Sequence, residues 1–143
     1  MTLAEMVLNG ELVVESVASG EVNRFLDSIA KRLTAAANTT LHDEARFEQA
    51  YHAVLNCAWI ALRVAGYRAS SGQGQHWVLL ETLAETLGIG DDEIAFYQEL
   101  RSLRNQDLYE ARPVPSATLQ EATSAAEVLT EKLKEWLATH GEP

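Results

Sequence analysis

"TLHDEARFEQAYHAVLNCAWIALRVAG", residues 40–66, is the stretch on which the fold turns. Phe47, Tyr51, Val54, Ala58, Ala61 and Ala65 recur at three- and four-residue spacing, which puts them on one face of a helix. Thr40 with Asp43 three residues later reads as a capping-box start, and Gly66 as a stop. The expected helix runs from about His42 to Ala65 and is the longest of the chain. The small residues along its face invite a neighbouring helix to approach closely.

Helical patterns continue outward on both sides. Upstream, "GEVNRFLDSIAKRLTAAAN" aligns Val22, Phe25, Leu26, Ile29 and Leu33 and should end near Asn38. The preceding "LAEMVLNGELVVES" is ambiguous: a short helix, a break at Asn9–Gly10, then a β-branched run. Downstream, "YRASSGQGQ" is a Gly/Ser-rich connection, followed by a helix from about His76 to Leu87 with Trp77, Leu80, Ala84 and Leu87 on its stripe. "GIGDD" breaks the chain and supplies an acidic start for a helix from about Asp92 to Tyr109, which "RPVPS" ends. Ser116 caps a last helix carrying Leu119, Ala122, Ala126, Leu129, Leu133 and Trp136. There is no alternating strand pattern and no internal repeat. Short connections favour antiparallel neighbours. The expectation is an all-α fold: an antiparallel bundle of four principal helices spanning 19–140 as a single domain, with 1–18 as a short N-terminal appendage.

The 143 residues suffice for one core, and 47% apolar with 22% charged residues is ordinary for a globular protein. No apolar run approaches a membrane span, and the acidic start has no signal-peptide pattern, so cytoplasmic residence is expected. The formal net charge of −10 opposes broad, nonspecific nucleic-acid binding. Eight of the eleven basic residues are arginine, which favours local bidentate contacts with carboxylate or phosphate. The single cysteine, Cys57, lies in apolar "VLNCAWIAL" and reads as a packed thiol.

One charge breaks the pattern. On a wheel of the Asp92–Tyr109 helix, Ile94, Phe96, Tyr97, Leu100, Leu103 and Leu108 take one half, with Arg104 near its middle and Arg101 inside its edge. Gln98, Ser102, Asn105 and Gln106 take the wet side. A buried guanidinium needs company. Its partner is a carboxylate inside the bundle such as Glu44 or Glu48, or the same helix of a second copy. The third option is an anionic ligand clamped by Arg101 and Arg104.

"LRSLRNQDLY" resembles the signature helix of HEPN domains, small helical bundles of toxin–antitoxin and defence systems. "FEQAYHAVLNCAWIALRVAGYR", then "GQHW", then this helix, then a final Ala/Leu helix extend the resemblance over roughly 20–140, in a branch marked by Gly-Tyr-Arg, Gln-His and Arg-Asn…Tyr. The resemblance implies metal-independent RNA cleavage across a homodimer, with Arg104 as the arginine and Asn105 as its polar neighbour. Where active members have a histidine four to six residues beyond the arginine, this chain has Tyr109. No histidine lies between Arg104 and Pro115. Tyrosine titrates near ~10, far from the neutral range that general acid–base work needs. The expected function is therefore a HEPN-like protein keeping an Arg/Asn/Tyr site for RNA or nucleotide, with an inactive or altered endoribonuclease. The alternative is a non-catalytic dimerisation or partner-binding module, for example with a nucleotidyltransferase. His76, opening its helix, is the candidate substitute for the absent histidine, and Arg68 joins the cluster if the loop folds back.

Glu44, Glu48 and His52 at i, i+4, i+8 read as a solvated or ion-paired helix face in preference to a metal site, and no cofactor is expected. "GQGQH" lacks the context of a phosphate loop, and no triad spacing is evident. Trp59, Trp77 and Trp136 read as core or interface anchors, not base-stacking platforms. Glu121, Glu127, Glu131 and Glu135 make nucleic-acid binding on the last helix unfavourable.

Overall fold

The computed structural model describes residues 1–140, and for Tyr109 the backbone alone. The chain is mostly helical: α1 (Leu3–Leu8), α2 (Glu21–Ala37), α3 (Asp43–Val64), α4 (Gln75–Glu81), α5 (Leu83–Thr86), α6 (Asp91–Glu110) and α7 (Ser116–His140). Two short strands, β1 (Leu12–Val14) and β2 (Tyr67–Ala69), pair antiparallel with Val13 opposite Arg68. None of the described helices is long and apolar enough to cross a membrane.

The all-helical expectation therefore needs one correction. The ambiguous β-branched run is a strand, because its backbone finds a partner just after α3. Gly66, at φ 101°, turns the chain out of α3 and its carbonyl accepts from the Glu15 amide, so the helix stop and the ribbon are one construction.

α3 is the axis of the core, packing most extensively on α2 and α7. Ala50, Ala53, Val54, Cys57, Ala58, Ile60 and Ala61 are fully buried, so its apolar surface extends well beyond one stripe. Its small side chains admit α2, which runs antiparallel to it. Arg32 meets Gln49, Ser28 meets Asn56, and the Phe25 and Trp59 rings stack at 6.2 Å. Burial pushes the Cys57 thiol up to about 12, as suits a packed, inert side chain.

Local details differ from the sequence reading. Thr40 does not cap α3; its hydroxyl donates to Asn38, and His42 stands at the N-cap without a side-chain bond. The capping box belongs to Thr2 and Glu5 at α1. Ser116 is the first residue of α7, which at 25 residues exceeds the 22 of α3. The helix expected over 76–87 bends at Thr82, whose buried hydroxyl donates to the Leu79 carbonyl. Gln98, assigned to the wet face of α6, is 8% exposed, and Leu108, assigned to the dry one, is 54% exposed. α4 packs where water was expected and so sets which face of α6 is covered.

Candidate functional site

Arg101 and Arg104 lie three residues apart on α6 and so share a face. The Arg104 fork closes on the Glu48 carboxylate of α3, with Nε 3.2 Å from Oε1 and Nη2 3.2 Å from Oε2. The carboxylate within the bundle, one of the three partners open to Arg104, meets it in the bidentate geometry that suits a guanidinium. Nη1 donates to Asn105 Oδ1 at 3.4 Å, and Cζ lies 5.9 Å from the Tyr51 ring centroid.

Glu48 serves a second donor. His52, one turn along α3, approaches its Oε2 at 2.8 Å through Nε2. A carboxylate only accepts, so Nε2 carries the hydrogen and the neutral ring keeps its lone pair on Nδ1.

Tyr51 Oη lies 3.0 Å from His76 Nδ1. Tyr51 is fully buried, and burial raises its hydroxyl above the ordinary 10. Were His76 the donor, the tyrosine proton would be buried without an acceptor, so Tyr51 donates. His76 then holds its own hydrogen on Nε2. The two imidazoles, 6.2 Å apart between centroids and perpendicular, are thus fixed in opposite tautomers. One offers a lone pair and the other a proton.

Burial lowers the His52 pKa, and Arg32 and Arg104 add to this against the upward pull of Glu48. Burial likewise lowers His76, helped by Arg104, His52 and Arg101. For Glu48, burial acts upward but is outweighed by Arg104 and His52, which hold the carboxyl below its ordinary value. The charges acting on the two histidines are therefore three arginines against the single carboxylate of Glu48.

No family model, no curated protein and no solved structure matches this chain.

The structure thus brings Arg104, Asn105 and His76 into one neighbourhood, with Arg101 beside it. Arg101 donates from Nε to Gln98 Oε1 at 3.0 Å and stacks over Trp77, 5.3 Å from the ring centroid. Arg68 is not drawn in. The β1–β2 pairing carries it to Glu15, 3.2 Å from its Nε, and to the Ala69 carbonyl. The Tyr109 side chain lies outside the described residues.

Tyr51, a packing residue by its spacing, and Arg32 are not marked out by the sequence; Arg32 Nη1 donates to Gln49, while its buried Nε has no hydrogen-bond partner among the described residues. Glu48 and His52 hydrogen-bond to each other along α3, and the ion pair of Glu48 is made with Arg104 across to α6. The available signal was the Glu48–Tyr51–His52 spacing, which sets three polar groups on one turn of α3.

Proposed function

We propose that this chain is a HEPN-like helical domain, cytoplasmic and associated with toxin–antitoxin or defence systems, whose Arg104 cluster binds the phosphodiester of RNA or the phosphate of a nucleotide. An antiparallel bundle of four principal helices over 19–140, acting as a homodimer, belongs to the same reading. One observation carries it: Arg32, Arg101 and Arg104 gather about His52 and His76 in a chain of net charge −10. Such local concentration of cations against the overall charge suits a compact anion.

The chemistry open to this cluster is metal-independent cleavage through the ribose 2′-hydroxyl. His52 Nδ1 accepts the 2′-hydroxyl proton as the oxygen attacks phosphorus, and the neutral His76 donates an Nε2–H hydrogen bond to the departing 5′-oxygen, which takes its proton from solvent water. Arg104, exchanging Glu48 for the phosphate, stabilises the charge that develops. The two histidines would supply what α6 lacks. Cleavage of single-stranded RNA by the purified protein, lost in Arg104→Ala and His76→Ala while helicity is kept, is the expected result. No cleavage and no Arg104-dependent RNA or nucleotide binding would overturn the reading.

A non-catalytic module, dimerising or docking a partner such as a nucleotidyltransferase, is favoured by a different observation. Leu108, one turn beyond Arg104, is 54% exposed, and Glu48 already fills the Arg104 fork. In that case Leu108→Glu separates the subunits, and Arg104→Ala has no effect on RNA.

A further inference from the structure

Trp77 follows His76 in α4, and with 47% of its surface exposed it is not a core anchor, the first of the two roles its stripe suggested. The ring is nevertheless held. Arg101 covers it, and Gln98, itself 8% exposed, accepts from Arg101 Nε while donating to the Trp77 carbonyl at 3.1 Å and to Glu81 Oε2 at 2.9 Å. The indole also lines a cleft of about 610 Å³, within the range of small-ligand pockets. Val78 and Ile94 supply apolar wall there, and Glu11, Glu81, Glu85 and Asp91 supply acceptors, with no lysine or arginine in the lining among the described residues.

We propose that this cleft is a nucleobase subsite. The base stacks on Trp77, and Glu81 and Glu85 accept hydrogen bonds from an exocyclic amino group. Two links join it to the Arg104 cluster: His76 precedes Trp77 in the chain, and Arg101 sits one turn before Arg104. The inference rests on the reading of that cluster as a phosphate site. Adenine, cytosine and guanine offer an amino group to the carboxylates. The uracil edge has no exocyclic amino group, and its one donor, N3–H, is flanked by two carbonyl oxygens that repel a carboxylate, so it is disfavoured. A stacked indole is worth enough, by the usual cost of removing one, to change affinity about tenfold or more.

The test is calorimetric titration of the full chain with AMP, UMP, ribose 5-phosphate and adenosine. AMP should bind about tenfold more tightly than ribose 5-phosphate, and UMP should gain no more than about twofold. Trp77→Ala should erase the AMP advantage and leave ribose 5-phosphate unchanged, while Trp77→Phe keeps it. Equal binding of AMP and ribose 5-phosphate, or an AMP advantage that survives Trp77→Ala, overturns the base subsite and leaves the phosphate site standing. Equal binding of AMP and UMP overturns the role given to Glu81 and Glu85. If ribose 5-phosphate fails to bind but adenosine binds in a Trp77-dependent way, the phosphate reading falls and the subsite stands. Absence of both adenosine and AMP binding rejects the subsite.

Discussion

Glu48 meets the guanidinium of Arg104 edge on, both of its oxygens 3.2 Å from a nitrogen of the fork. That is the geometry a phosphate would take, so the carboxylate occupies the place of the anion the site is read to bind. Glu48→Gln should then do two opposite things. It weakens the fold by about 1 kcal/mol, a figure kept small because the carboxylate is 37% exposed and screened. It also tightens binding of inorganic phosphate, since a neutral amide competes less. Calorimetry with phosphate checks this, and a weaker affinity in Glu48→Gln counts against the exchange.

Arg63 is the structural counterpart. Only 4% exposed, it donates to both oxygens of Glu21 and to the carbonyls of Glu15, Ser16 and Tyr67, tying α3 to the start of α2 and to the ribbon. Removing one side of a buried pair strands the other, so Arg63→Ala should cost about 3–5 kcal/mol in urea unfolding. A loss under about 1 kcal/mol would mean the network contributes little.

Acid should weaken the fold in two stages. His52 and His76 have pKa values below their ordinary 6.5, so between that value and their folded pKa the unfolded chain binds more protons. Stability therefore falls as pH drops below about 6.5. Glu48, depressed below 4.5, is charged and paired above that range, and its contribution is lost as pH falls through its folded pKa. Unfolding free energies at several pH values should show the first slope, flattened in a His52→Gln, His76→Gln double variant. Stability rising between neutral pH and pH 5.5 would contradict the sign.

Tyr51→Phe removes the donor that fixes His76. In the wild-type protein, nitrogen NMR should place the His76 hydrogen on Nε2, and the variant should show a mixture of tautomers with about 1 kcal/mol less stability. A wild-type ring protonated on Nδ1 would reverse the roles assigned to the pair.

The helices were legible because burial repeats with the helical period, and α3 needed only its stripe and Gly66 to be placed. The β1 run was not, since three residues become a strand only through the partner that follows α3. Gln98 was misassigned because a wheel shows which residues share a face but not how many neighbours cover it. For the site, Arg104 betrayed itself as a charge on an apolar stripe. Tyr51 looked like core and is core, with its hydroxyl turned to His76 across 25 residues of sequence. No local spacing encodes that contact.

The most direct measurement is the side-chain Nε resonance of Arg104 during titration with a deoxydinucleotide that lacks the 2′-hydroxyl and cannot be cleaved. A phosphate site predicts a saturable shift of Arg104 Nε, with His52 and His76 moving along the same isotherm and all of it absent in Arg104→Ala. A resonance that stays fixed while the dinucleotide binds elsewhere, or does not bind, contradicts the account.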